Sequence, residues 1–268
     1  MCGRFVSTNS AEEIASFFGA SSYDGQTEAE LPFNFNVAPT DDVLTVLTDR
    51  AGQLAVQPLR WGLIPSWAKD VKIGASMINA RAETLVEKAA FKNALAKHRC
   101  IIPMAGFYEW KQLAADGPRD HKGKVIKQPM FIRRVDGEIL AAAGVWSAWR
   151  DRSGPNDAPW LRSCSVITTK ANPTMEPIHD RMPAILEADG WRRWLDPHNS
   201  DIDELRALLA PASEAVLTMH PVSTQVNSVR NNGAELIEPV DPSTTVRPGP
   251  QTGGYTPADL VQGPPTLF

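Results

Sequence analysis

The sequence predicts an α+β fold: a mainly antiparallel sheet or partly open barrel with peripheral helices. Three observations carry that expectation. Short runs rich in β-branched and aromatic residues recur along the chain, only three segments show helical spacing, and no regular strand–helix alternation of the doubly wound kind is present.

The first helix is expected over "AEEIASFFGA" (11–20), with Ser10 as N-cap and Gly19 as terminator. A strand follows at "VLTVLT" (43–48), and a long helical repeat runs through "AETLVEKAAFKNALAKH" (82–98). "RCIIPMAGFYEW" (99–110), "PMFIRRV" (129–135), "EILAAAGVW" (138–146), "SCSVITT" (163–169) and "EAVLTMH" (214–220) read as further strands. Asp136-Gly137 is the turn pair expected to join two of them in a hairpin. The third helix is "DIDELRALLA" behind Ser200.

A single domain over 1–240 is expected, because neither a repeat nor a composition break divides it. Residues 241–268 hold 6 prolines and 4 glycines, which predicts an extended or disordered tail. "RDHKGKVIK" (119–127), inside the 112–128 insertion, reads as a mobile basic loop.

Of the 268 residues, 43% are hydrophobic, ample for a core. A net charge of −4 argues against coating nucleic acid through bulk positive charge but leaves room for a local basic groove. No apolar run approaches membrane-span length and no signal-peptide core follows Met1, so a cytoplasmic protein, in the bacterial cytosol or associated with the nucleoid, is expected. Cys2, Cys100 and Cys164 are odd in number and lack metal-site spacing, which points to reduced thiols and no metal or other cofactor. Cys100 and Cys164 lie in apolar strand contexts and read as inert core thiols. With no oligomer interface legible, a monomer is expected.

Cys2 stands directly behind the initiator methionine in "MCGRFVS". Removal of Met1 would leave an α-amine and a thiol on one residue. The amine, with a pKa of about 7.7 to 8.0 against about 10.4 for lysine, is nucleophilic at neutral pH. Such a residue can condense with an aldehyde through nitrogen and close a five-membered thiazolidine through sulfur. The second step is intramolecular, where effective molarities reach on the order of 10⁵ M. Taken alone, Cys2 reads first as a small residue tolerated there.

"MCGR", "NVAPT" (36–40), "RWGLIPSWA" (60–68), "MINARAET" (77–84), "IPMAGFYEW" (102–110), "IHDRMP" (178–183) and "HPVSTQVNSVRNNGAELIEP" (220–239) occur in one order. Together they closely resemble the SRAP family, the SOS-response-associated peptidase or abasic-site-processing proteins. The likeness covers nearly all of 1–240; the tail and the 112–128 insertion fall outside it.

The resemblance implies capture of abasic sites in single-stranded DNA through Cys2, with lyase activity as an extension and replication-fork proteins as further partners that no motif identifies. It places an essential acid at Glu109, whose neighbours Tyr108 and Trp110 are expected to desolvate it. His179 is expected to protonate the sugar ring oxygen as the ring opens, and Asn79 to hold the Cys2 backbone or a sugar hydroxyl. Arg81 and Arg181, with Arg4, are expected to contact phosphates. Pro39, Trp61 and Trp67 would stack on or wedge between bases, with at least one Trp exposed.

Residue by residue, blander readings stand beside these: an ion pair for each Arg and for Glu109, a structural His179, a turn cap for Asn79, and a core position for each Trp. Two other functions use the same features. An N-terminal-nucleophile peptidase or amidohydrolase, including one that processes itself, would employ the Cys2 thiol with its own amine as base. A non-enzymatic DNA-binding module would leave Cys2 incidental.

Overall fold

The β-rich runs pair into two sheets. A computed structural model describes residues 2–20, 31–117, 119, 122–153, 155 and 158–241. The expected tail beyond Asp241 lies outside the described residues. In chain order the elements are β1 (Phe5–Ser7), α1 (Ala11–Phe18), β2 (Asn34–Val37), β3 (Asp42–Thr48), β4 (Leu54–Trp61), β5 (Asn79–Arg81), α2 (Ala89–Lys97), β6 (Arg99–Met104), β7 (Gly106–Gln112), β8 (Lys127–Arg134), β9 (Leu140–Trp149), β10 (Leu161–Lys170), β11 (Arg181–Pro183), α3 (Ala188–Leu195), α4 (Ile202–Ala207) and β12 (Leu217–Pro221).

One sheet is open and wholly antiparallel, in the order β12-β8-β7-β1-β2. The other runs β11-β10-β4-β3-β6-β9 and folds back through a β9–β10 ladder into a partly closed five-stranded barrel. Its parallel contacts are those of β10 with β4 and β5. The expected α+β class therefore holds, with both the antiparallel sheet and the partly closed barrel present.

Alternate residues of each barrel strand divide between two apolar clusters, as the two-residue strand period requires. Leu44, Val46, Ile101, Ala143 and Ile167 pack beneath the helices with Ile14, Phe18, Phe91, Leu95, Trp194 and Leu205. Val43, Leu47, Cys100, Ile102 and Cys164 face the other way and meet Phe5, Phe107 and Ile132 of the open sheet, together with Cys2. The functional strands β1 and β7 thus lie over the barrel with one face sealed.

The first helix matches its caps: Ser10 and Glu13 form a reciprocal capping box, and Gly19 adopts the left-handed conformation at φ 62°. Elsewhere the local reading is corrected. The 82–98 repeat yields only a 3-10 turn at Ala82–Thr84 and a helix from Ala89, because the preceding residues are drawn into the barrel by pairing with β10. The last helix is capped by Asp201, which accepts the Asp203 and Glu204 amides, and not by Ser200. The 99–110 run divides between sheets at Ala105–Gly106. A Cβ on Gly106 would lie 2.4 Å from the Phe131 ring, so only glycine permits that close approach. Asp136-Gly137 does turn the chain, with Gly137 at φ 80°, but no hairpin forms. β8 pairs with β7 and β12, and β9 with β6 and β10. α3 carries no expectation from the sequence.

Candidate active site around Cys2

The N-terminal segment reaches the interface between sheet and barrel. Cys2 is fully buried in the cluster that includes Phe5, Val37, Trp61 and Phe107. Burial drives its thiol pKa far up, the negative charge of Glu109 adds to the rise, and the Arg4 amide opposes it. The thiol is therefore neutral around pH 7.

Asn79 approaches from the barrel because β5 adds in parallel to β10, with Val166 opposite Asn79. Its Nδ2 donates to the Cys2 carbonyl at 2.7 Å. A carbonyl only accepts, so this contact fixes the orientation of the amide. Oδ1 is then left buried without a hydrogen-bond partner among the described residues.

Glu109 shares a strand face with Phe107, two residues away, and so projects into the same cluster as Cys2. Tyr108 and Trp110 take the opposite face, where Tyr108 packs with Val6 and Phe131. The expectation that these two neighbours desolvate Glu109 is thus corrected: the sheet–barrel interface does so. Glu109 is 3% exposed. Burial raises its pKa, against the opposing charges of the chain terminus and His179. A carboxyl shifted in this direction is suited to proton transfer near neutrality.

His179 ends a turn organised by Asn172, a buried residue whose Oδ1 accepts the Met175 amide and whose Nδ2 donates to the Ala212 carbonyl. The imidazole Nδ1 lies 3.0 Å from the Arg181 amide and 2.8 Å from Asp180 Oδ1. An N–H needs an acceptor and a carboxylate needs a donor, so the two contacts require Nδ1 without and with a proton respectively. The Nε2–H tautomer accepts from the Arg181 amide, whereas any form with a proton on Nδ1 donates to Asp180.

The three arginines have separate fates. Arg81 is exposed at the end of β5. Arg4 is half-buried, donating to Asn36 Oδ1 and the Val226 carbonyl, with its guanidinium 6.0 Å from the Trp110 ring centroid. Arg181 is 8% exposed, forks onto both Glu83 oxygens at 2.6 and 2.9 Å, and donates to the Thr168 carbonyl at 2.5 Å. Both of its terminal nitrogens are committed inward and its Nε is buried, so the expected phosphate contact is corrected to a structural role.

The two tryptophans diverge too. Trp61 is buried, donates from Nε1 to the Ile78 carbonyl, and meets Phe5 edge-on at 4.9 Å. It cannot stack on a base, and that expectation is corrected: it braces the segment leading into Asn79. Trp67 is 56% exposed and, of these two, is the one available to a ligand. Pro39 sits partly exposed in a tight turn hung on the Trp61 backbone, where the Thr40 amide donates to the Trp61 carbonyl and the Trp61 amide to the Asp41 carbonyl. Thr40 is held there at φ 81°, a conformation β-branched residues avoid.

Several contributors carried no expectation. Asn36 is buried and donates to the Val226, Ser228 and Asn231 carbonyls, clamping the 223–232 loop beside Arg4. Glu83 neutralises Arg181, and Asn172 shapes the His179 turn. The cue for Asn36 lay in its place at the head of "NVAPT", because a polar amide before an apolar turn needs partners. Among the described residues, no three His, Cys, Asp or Glu side chains converge as a metal site would require.

Comparison with known proteins identifies this arrangement. The sequence profile described as SOS response associated peptidase (SRAP) matches residues 1–229. Abasic site processing protein YoqW of Bacillus subtilis is 44% identical over 238 residues, covering 89% of this chain and 99% of that protein. YedK of Escherichia coli, also named an abasic site processing protein, is 32% identical over 90% of this chain and 100% of its own length. HMCES of Xenopus tropicalis, of the same name, is 31% identical over 88% of this chain and 78% of its own. A crystal structure of a Bacteroides thetaiotaomicron protein superposes with a TM-score of 0.74 at 25% identity, covering 89% of this chain and all of that one. Nearly the whole described chain is matched in each case, and it belongs to the SRAP family.

Proposed function

We propose that this protein processes abasic sites in single-stranded DNA by capturing the opened sugar on Cys2 after loss of Met1. The single observation supporting this most is that the buried carboxyl and the oriented amide both converge on residue 2: Asn79 holds the Cys2 carbonyl, and Glu109 is the charged side chain acting on its thiol.

The chemistry follows from these groups. Loss of Met1 makes the Cys2 nitrogen a primary amine, and Glu109, with its raised pKa, accepts the ammonium proton. His179, as the imidazolium, donates a ring proton to the ring oxygen as the hemiacetal opens to the aldehyde, and the anomeric hydroxyl gives its own proton to solvent water. The amine adds to that carbonyl carbon, and Glu109 returns its proton to the hydroxyl, which leaves as water and gives an iminium. The thiol then adds across the C=N bond, sulfur to carbon and proton to nitrogen, and closes the thiazolidine. Asn79 Oδ1 is suited to accept from a sugar hydroxyl meanwhile.

A buried neutral thiol suits this order, in which the amine reacts first. It suits a peptidase less, because that reaction needs a thiolate at the outset and burial disfavours one. The test mixes the purified protein with single-stranded DNA containing one abasic site and separates the products under denaturing conditions. A shifted band that disappears in Cys2→Ala, and when Met1 is retained behind an N-terminal tag, is expected. An unmodified strand with Met1-free protein would reject the proposal.

A further inference from the structure

A lesion without a base offers nothing to pair with or stack on, so affinity for it must come from the nucleotides beside it. The described surface carries a second exposed tryptophan that the site above does not use. Trp160 is 61% exposed, and the Arg150 guanidinium lies 5.0 Å from its ring centroid. That cation covers one face of the indole and leaves the remaining surface to solvent.

Trp160 is not isolated from Trp67. It directly precedes Leu161, which pairs with Trp149 across the β9–β10 ladder. Trp149 Nε1 donates to the Ala68 carbonyl at 2.7 Å, tying the end of β9 to the residue following Trp67. Hydrogen bonds and chain connectivity therefore link Asn79, through Ile78 and the bound Trp61, along the 62–68 loop past Trp67 to Ala68, and from there through Trp149 to Arg150 and Trp160. The loop is fixed at its root, where Gly62 and Gly74 approach so closely that a Cβ on either would lie within 2.7 Å of the other's backbone.

The charge around these rings suits an anion. In the stretches 67–72 and 149–153, Lys69, Lys72, Arg150 and Arg152 outnumber the carboxylates Asp70 and Asp151. Asp70 caps the Lys72 amide and pairs with its ammonium, while Asp151 accepts from the Ser153 amide and hydroxyl. The local balance is positive on a protein that is negative as a whole.

We infer that Trp160, with Arg150 behind it, forms a second base-stacking platform that extends the path of single-stranded DNA beyond Trp67, away from the lesion. The inference rests on the abasic-site reading for its substrate. Exposed aromatics backed by cations bind bases without regard to sequence, as a lesion that can fall anywhere demands.

The test compares wild type, Trp160→Ala and Trp160→Phe by fluorescence anisotropy, using labelled single strands with a central abasic-site analogue that cannot crosslink. Strands that extend only 2 nucleotides on each side are set against strands lengthened on the 5′ side, the 3′ side or both. Trp160→Ala is expected to weaken binding roughly 5- to 150-fold for strands lengthened on one side, to leave the short strand unchanged, and to be rescued by Trp160→Phe. Equal affinity of all three proteins for every strand would overturn the platform and leave the residue to a protein partner. A loss identical for short and long strands would overturn it as well. Cys2-dependent crosslinking of a reactive abasic strand, measured in parallel with wild type, reports on the underlying reading separately.

Discussion

Across 77 positions of sequence, the side-chain amide of Asn79 donates to the backbone carbonyl of Cys2 at 2.7 Å. The bond couples the barrel strand β5 to the start of the chain and leaves Asn79 Oδ1 facing inward. Removing it in Asn79→Ala is expected to slow crosslinking up to about tenfold, the range of one buried hydrogen bond. Asn79→Asp should slow it more, because a carboxylate oxygen would then confront a carbonyl oxygen and Glu109 would gain a like-charged neighbour. Single-turnover crosslinking of the three proteins orders these effects; an Asp variant faster than the Ala variant would remove the positioning role.

Glu109 ties stability and activity together in opposite directions. Its folded pKa is raised, chiefly by burial, so the native state holds the proton more tightly than the unfolded chain. Stability from this group is complete below the ordinary carboxylate pKa and is lost as pH rises through the raised folded value. Glu109→Gln, which cannot ionise, is therefore expected to melt higher than wild type at neutral pH, with the two converging in acid. The same variant should lose the rise in crosslinking rate with pH that deprotonation of Glu109 gives the wild type. Calorimetric scans across pH, paired with rate profiles, check both signs.

How far the sequence spoke depended on how local each feature was. The capping box of Ser10 and Glu13, the left-handed Gly19 and the strand at 43–48 are set by neighbours in the chain, and they were legible. The 82–98 repeat and the Asp136-Gly137 turn were locally sound but were decided by distant pairing of β5 with β10 and of β9 with β6. α3 was missed because Gly190 interrupts it, although Trp191, Trp194 and Leu195 mark its apolar side. That glycine sits where a Cβ would come within 3.0 Å of Leu208. In the site, residue types were legible and their exposure was not. Arg81 and Arg181 sit in similar polar stretches, and only the fold brings Glu83 to one of them.

That divergence separates two variants that the motifs would treat alike. Arg81 is exposed, so Arg81→Ala is expected to leave the melting temperature unchanged and to lower the salt slope of single-strand binding by about 0.7, one phosphate's worth. Arg181→Gln strips the Glu83 fork and the bond to the Thr168 carbonyl. It should destabilise by about 2 kcal/mol, the scale of hydrogen bonds to a charged group, while keeping the salt slope. Denaturant unfolding and a salt titration on each variant distinguish the roles, and a reduced slope in Arg181→Gln would restore that residue to the DNA surface.

The tryptophans give the same contrast on the apolar side. Trp61 fills the cluster around Cys2 and binds the Ile78 carbonyl, so Trp61→Ala leaves both a cavity and a carbonyl without its donor. A loss of about 3 to 5 kcal/mol is expected from the cavity. Trp61→Phe, which keeps most of the volume but not the N–H, should cost less and should slow crosslinking through movement of Asn79. Trp67 stands in solvent, so Trp67→Ala should unfold with the wild-type midpoint while binding single strands roughly 5- to 150-fold more weakly. Unfolding curves and anisotropy titrations on these three variants test the assignment. Equal melting of the two Ala variants would mean that Trp61 does not hold the barrel segment against the N-terminus.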